Sequence, residues 1–396
     1  MKRLSKVASA VRESSTIAVD SLAKQMKADG LDVIAFGTGE PDFDTPDNIK
    51  DAAIKAINGG LTKYTPAAGI PQLRQAAADR LKMDFDLDYT PEQIVVASGA
   101  KHSVYVALCV LLDPGDEVII PAPFWVSYYQ MVRMAGGVPK IVYTEKEQDY
   151  KLTAEQLRSA ITDKTKVFLI NNPVNPTGMV YDREQLTGLA EVCREADLYV
   201  ISDEIYSSLV YDNREFASFP TISEDAKERT ILINGVSKSY AMTGWRIGYS
   251  ASNGQIAETM TNYLSHSTGA PGTMNQWAAV EALVGHQDGI DAMRTVFEVR
   301  RNYIVDRINS IPDVSCRQPE GAFYVMMNIE KQIGRTLGGK IITNDADFAS
   351  ALLEKELVAV VPCLGFGVPN YVRLTYATSM ENIREGLDRL ERFLSK

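Results

Sequence analysis

The chain predicts an α/β fold with a mostly parallel sheet, followed by a smaller α+β region. Three observations carry that prediction. Short continuous apolar runs recur (94–98, 117–120, 167–170, 198–202 and 230–233), and each stops abruptly at polar or Gly/Pro-bearing residues. Between them lie stretches with helical apolar spacing, such as Val104, Ala107, Leu108 and Leu111. From about residue 290 the texture changes to long charged helical stretches with paired apolar runs. Apolar strands alternating with amphipathic helices are the pattern of a parallel sheet covered on both faces.

In chain order, IVVAS (94–98) leads into a helix predicted from Ala100 to Leu112. DPGDEVIIPAPFW then gives a turn, a strand at 117–120 and a proline-rich exit. VFLI (167–170) opens into NNPVNPTG, and a helix over 183–196 presents Leu186, Leu189, Ala190 and Cys193 on one face. LYVIS (198–202) opens into DEIY, and TILI (230–233) into a loop that bears Lys238 and ends at Arg246. A charged helix over 294–309 precedes GAFYVMMNI, a helix around 345–356, LVAVVP, VRLTYAT and a final helix.

Composition excludes several classes of function. The net charge of −10 and the lack of a basic run leave no electrostatic footprint for nucleic acid. No apolar run approaches the ~18 residues of a membrane span, and the first residues lack the apolar core of a signal peptide, so a cytoplasmic protein is expected. The four cysteines are scattered without a CxxC, which reads as free thiols. Three histidines without metal-ligand spacing argue against a metal site and leave few bases for a Ser-His-Asp hydrolase.

Right-handed crossovers bring the loops after 98, 120, 170, 202 and 233 to the carboxyl edge of one sheet, where open α/β folds bind ligands. Singly, the residues there have ordinary explanations. Lys238 reads as a surface lysine, NPVNPTG as a turn, Asp203 as a helix cap and Trp125 as core. Together they supply what pyridoxal phosphate needs. Lys238 would form an imine with its carbonyl, and Asp203 would pair with the pyridinium nitrogen. Tyr206 and Asn175 would hydrogen-bond the ring oxygen, and Trp125 would stack on the ring. The Ser98, Gly99 and Ala100 backbone at a helix start, with Ser237 and Arg246, would take the phosphate.

These residues lie in GEPDFDTP (39–46), KYTPAAGIPQLR (63–74), NNPVNPTG (171–178), SDEIY (202–206), SKSYAMTGWRIGY (237–249) and VRLTYATS (372–379). With those motifs the chain resembles the class I aminotransferases of fold type I, in particular the Iβ branch of aspartate aminotransferases. The resemblance implies a large cofactor domain (46–290) with a mostly parallel seven-stranded sheet, and a small domain (291–396). An N-terminal arm and part of the small domain would occupy 1–45. It implies that Arg373 clamps the substrate α-carboxylate, helped by Gly39 and Asn175, with Trp125 also against substrate. Tyr64 would reach the phosphate in a neighbouring subunit, making a homodimer with shared sites. Cis peptides are expected before Pro123 and Pro176.

For the distal carboxylate, YLSHSTGAPGTMNQWA (263–278) carries no lysine or arginine, so the α-branch arginine has no counterpart. The Iβ branch uses a lysine after the phosphate loop, and Lys101 stands there, with hydroxyls at Ser15 and Thr16. A dicarboxylic pair, aspartate with 2-oxoglutarate, is expected. Iβ members that also convert prephenate to arogenate resemble this chain in Arg12, Thr16 and Lys101. The same cofactor site would also serve a fold type I lyase or a non-catalytic regulator.

Overall fold

The structure, a computed structural model, describes residues 2–11 and 14–395. Seven strands form the main sheet: β1 (Ile94–Ala97), β2 (Glu117–Ala122), β3 (Val138–Tyr143), β4 (Thr165–Asn171), β5 (Tyr199–Asp203), β6 (Thr230–Gly235) and β7 (Gly248–Ala251). Their order is β1-β7-β6-β5-β4-β2-β3. All pairings are parallel except those of β7, which runs antiparallel to both β6 and β1. That exception goes with the connection between the strands. Only the Lys238 loop, which holds no α-helix, separates β6 from β7, and the chain doubles back through it.

The continuous apolar runs are explained by burial on both faces. In β6, Ile231 and Ile233 pack with Val104 and Leu108 of helix Ala100–Leu111, while Leu232 points to the other side, toward Leu73 and Leu81. Helix Arg183–Glu195 starts at a capping box in which Asp182 accepts from Gln185 N and Gln185 returns a bond to the Asp182 backbone. It buries Leu186, Leu189, Ala190 and Cys193, the face its spacing predicts.

A second, antiparallel sheet contains β8 (Ser315–Cys316), β9 (Tyr324–Asn328), β10 (Val361–Pro362) and β11 (Tyr371–Thr375), in the order β10-β11-β9-β8. Helices Asp288–Ser310, Asp345–Glu356 and Met380–Leu394 accompany it. The N-terminal segment joins this region, since Ile34–Ala35 pairs in parallel with Val358–Ala359. Helix Asp288–Ser310 starts six residues before the expected 294. Its Asp288-Gly289 start resembles a loop, whereas Asp288 and Asp291 suit the positive end of a helix. Strand β3 was not marked by an apolar run, because it lies at the sheet edge and is only half-buried, and Pro139 is tolerated there. Cis peptides precede Pro123 and Pro176, as expected, and also Pro173. Among the described residues no helix is long and apolar enough to cross a membrane.

Candidate active site

The polar residues that end the strands converge. Ala100, Lys101, Trp125, Asn175, Asp203, Tyr206, Ser237, Lys238, Arg246 and Arg373 line one cavity of about 460 Å³, together with Thr16 and Gly39. Strand ends deliver most of them. Asp203 is the last residue of β5, Lys238 follows β6, and Arg373 projects from β11 of the second sheet.

Asp203 is buried, and its Oδ2 accepts from the Tyr128 hydroxyl at 2.6 Å while Oδ1 accepts from Ile205 N at 3.3 Å. Burial raises its pKa from 3.8 to about 6, opposed by the Tyr128 bond. Lys238 donates to the Gly39 carbonyl. Burial lowers its amine from 10.5 to about 8, against the pull of Glu40. The Glu40 carboxylate also accepts from Thr243 Oγ1 at 2.8 Å, which ties the N-terminal segment to the lysine loop.

Asn175 is oriented by its own neighbourhood. Its N–H donates to Asn171 Oδ1 at 2.8 Å, and Asn171 Nδ2 donates to the Asp203 carbonyl at 2.8 Å. Its side-chain oxygen accepts from Arg373 Nη1 at 3.0 Å. Arg373 is buried, donates from Nη2 to the Gly37 carbonyl at 2.8 Å, and lies over the rings of Tyr324 and Phe366 at 4.2 and 5.2 Å. Among the described residues its buried Nε has no hydrogen-bond partner.

Helix Ala100–Leu111 begins at Gly99, whose φ of +87° needs glycine, and no side chain caps its first turn. Arg246 donates to the Ser98 carbonyl at 3.2 Å and to the Thr243 carbonyl at 2.8 Å. A Cβ on Gly99 would overlap the Arg246 guanidinium, and one on Gly248 would strike the backbone of Gly99 and Ala100. The three segments therefore form a close backbone cradle with a cation beside it. Lys101 Nζ sits 5.0 Å from the Trp125 ring centre, its pKa lowered by burial and then by Arg246.

The site therefore offers a buried carboxylate, an amine of depressed pKa, a flat indole, an uncapped helix start with an arginine, and a second buried arginine for an anion. Residues 31–390 match the family described as aminotransferase class I and II. The chain belongs to that family.

It is 49% identical to an aspartate aminotransferase of Bacillus sp. (strain YM-2), with 96% of each chain covered. It is 47% identical to an aspartate/prephenate aminotransferase of Cereibacter sphaeroides, over 99% of each chain. The structure of an aspartate aminotransferase from Thermus thermophilus with maleate superposes with a TM-score of 0.93 at 40% identity, covering 99% of this chain and 100% of that one. The protein is a pyridoxal-phosphate-dependent aminotransferase of fold type I acting on amino and keto acids. The cavity fits that cofactor. Asp203 suits a pyridinium nitrogen, and the helix start at Ala100 lines the cavity together with Ser237 and Arg246, a donor set that suits a phosphate.

Tyr64 does not reach this aminotransferase's own cavity; its side chain is fully exposed. Thr16 lines the cavity and pairs with Ser14 at 2.8 Å. Arg12 lies outside the described residues, as does the side chain of Ser15. Sequence reasoning missed Tyr128, Glu40 and Tyr324, all of which line the cavity. Tyr128 had a signal, since it stands three residues after Trp125, where one helical turn brings both to the same place.

Proposed function

We propose that this aminotransferase exchanges the amino group of L-aspartate with 2-oxoglutarate, and that prephenate is a further acceptor, giving L-arogenate. The observation that carries the dicarboxylate reading is the placement of two cations, Arg373 and Lys101, in one cavity with Lys238. Pyridoxal phosphate, when bound, supplies an aldehyde that captures the amino group and a ring that withdraws electrons from it. Lys238 would hold it covalently, Asp203 would pair with its ring nitrogen, and Tyr206 and Asn175 with its ring oxygen. Trp125 would cover its face, and the Ser98–Ala100 backbone, Ser237 and Arg246 would hold its phosphate.

The chain's own groups then account for the chemistry. Arg373, with Gly39 and Asn175, takes the α-carboxylate bidentately and orients Cα toward Lys238. Lys101, with Ser15 and Thr16, meets the distal carboxylate. The Lys238 amine, with a pKa near 8, both takes and returns the Cα proton close to neutrality. Two half-reactions in turn give ping-pong kinetics. A relative named aspartate/prephenate aminotransferase supports the prephenate reading. The function proposed for Arg12 is to meet the second carboxylate of prephenate.

A homodimer with Tyr64 serving the neighbouring phosphate is part of this reading, as is residence in the cytoplasm. The exposure of Ile54, Ile57, Leu61 and Tyr64 supports the dimer. So does a groove of about 900 Å³ that shares Ser14, Lys101, Ser127 and Arg246 with the site and includes Tyr105, Met134 and Tyr143.

The test loads the protein with pyridoxamine phosphate and adds oxaloacetate, 2-oxoglutarate or prephenate separately. Recovery of the visible absorption of the lysine-bound cofactor with all three supports the proposal, and Lys238→Ala serves as the blank. No recovery with oxaloacetate or 2-oxoglutarate overturns the aspartate reading. Prephenate turnover that survives Arg12→Lys overturns the function given to Arg12.

A further inference from the structure

Tyr324, in β9, stands where the substrate clamp meets the cofactor pocket. It is almost fully buried yet lines the cavity. Its ring carries the Arg373 guanidinium at 4.2 Å, and its hydroxyl lies 3.0 Å from the hydroxyl of Tyr206. Gly39 is pressed against it as well, because a Cβ there would lie 2.9 Å from the Tyr324 oxygen. One side chain therefore touches three groups to which the reaction assigns a part.

We propose that Tyr324 is a positioning residue with two separable functions: its ring seats the Arg373 guanidinium that takes the substrate carboxylate, and its hydroxyl donates to Tyr206, directing the Tyr206 proton into the cavity. The inference rests on the functions given to Arg373 and Tyr206 above.

A phenol has one proton to give. If Tyr206 gives its proton to the cofactor's ring oxygen, its oxygen accepts in the contact with the Tyr324 hydroxyl. Either hydroxyl can donate in this contact, and the charges around the pair favour that direction. Arg373 lies against Tyr324 and lowers the pKa of its phenol against the effect of burial, while Glu40 raises it. Tyr206 is buried, faces Asp203, and is raised well above the usual phenol value. The Arg373 guanidinium against the Tyr324 ring and the Asp203 carboxylate near Tyr206 make Tyr324 the better donor. A bond received by Tyr206 polarises its O–H and strengthens the bond it gives. On the other side, a guanidinium stacked on a buried ring is held in one plane, which is what bidentate capture of a carboxylate requires.

The two functions separate by substitution. Tyr324→Phe keeps the ring under Arg373 and fills nearly the same space, so the fold is retained, but removes the donor. Tyr324→Leu removes both. Each variant, with Tyr206→Phe and the double variant, is loaded with pyridoxal phosphate and its visible band titrated with pH and with maleate, an unreactive dicarboxylate. A donor aimed at the ring oxygen stabilises the deprotonated form, so Tyr324→Phe should raise the band's pKa by about half a unit and leave maleate affinity within about twofold. Tyr324→Leu should also weaken maleate by about five- to tenfold. In the Tyr206→Phe background, Tyr324→Phe should shift the band no further.

An unchanged pKa in Tyr324→Phe, or a shift that persists without the Tyr206 hydroxyl, overturns the hydroxyl's function. Unchanged maleate affinity in Tyr324→Leu overturns the ring's. A wild-type protein with no visible band overturns the cofactor reading and this inference with it, whereas failure in the variants alone overturns only the inference.

Discussion

Tyr128 donates its phenolic proton to Oδ2 of Asp203 at 2.6 Å, and both side chains are buried at the end of β5. The Trp125 ring meets Tyr128 edge-on at 5.3 Å, so the indole proposed to cover the cofactor and the phenol that holds its proposed counter-ion brace each other. A hydrogen bond to the charged form of an acid favours that form, and here it works against burial.

Removing this bond should therefore push the Asp203 pKa further above its present value of about 6. In Tyr128→Phe the carboxylate would be protonated over more of the neutral range and could no longer support a protonated ring nitrogen. The expected outcome is a kcat lowered by about tenfold near pH 6.5, with the deficit shrinking toward pH 8.5. A pH profile of both proteins checks this, and a pH-independent loss would show that Tyr128 acts only through packing.

The same carboxylate makes a prediction about stability without cofactor. Its folded pKa of about 6 exceeds the ordinary 3.8, so the folded chain binds that proton more tightly than the unfolded chain does. Above pH 6 the folded state carries a buried charge at a cost. As pH falls from 6 toward 3.8 the group is protonated in the folded state and the cost disappears. Cofactor-free Asp203→Asn should accordingly be more stable than wild type at pH 8, by about 3 kcal/mol at most, and should lose this advantage near pH 4. Urea unfolding at the two pH values measures it, and the activity of the variant should be lost.

Much of the site was legible because its residues sit where apolar runs end. Asp203 ends a strand that is buried on both faces, Asn175 and Lys238 each follow one, and parallel topology brings such ends together. Tyr324 was not legible in that way. It lies within an apolar run, GAFYVMMNI, where an aromatic residue reads as core, and only the approach of the second sheet makes it a wall of the cavity. Glu40 is likewise remote in sequence from Thr243, the hydroxyl it binds. Local pattern shows where a strand stops, but it does not show what a distant loop lays across it. Strand β3 failed for the opposite reason, since a half-buried edge strand has little apolar signal to show.

Gly248 links the sheet to the backbone cradle proposed to hold the phosphate. It opens β7 and pairs with Ala97, and an added Cβ would come within 2.5 Å of the Gly99 carbonyl carbon and closer still to the Ala100 nitrogen. Those atoms are backbone, so relief requires moving the helix start itself. Gly248→Ala should weaken pyridoxal phosphate by about tenfold or more, on the scale of a small-to-large strain of 1–3 kcal/mol. Equilibrium titration of the cofactor-free protein measures it. An unchanged affinity would mean that the 98–100 segment does not hold the phosphate.

The function proposed for Lys101 is to select dicarboxylic over monocarboxylic substrates. A cation in the first turn of a helix faces the positive end of the helix dipole, and Arg246 adds to the repulsion. Among the described residues the charge that acts on it is the Arg246 cation, and its amine lies over the Trp125 ring. Such a position is unfavourable for the resting protein and becomes favourable when an anion enters the cavity. Lys101→Met keeps the length of the chain and removes the charge. It should lower kcat/KM for aspartate and 2-oxoglutarate by about tenfold or more, and leave alanine and pyruvate within about twofold of wild type. The ratio of the two substrate classes is the measurement that matters. Equal losses for both would place Lys101 with the cofactor phosphate, beside Arg246, and the distal carboxylate would then need another cation, for which Arg12 would be the first to substitute.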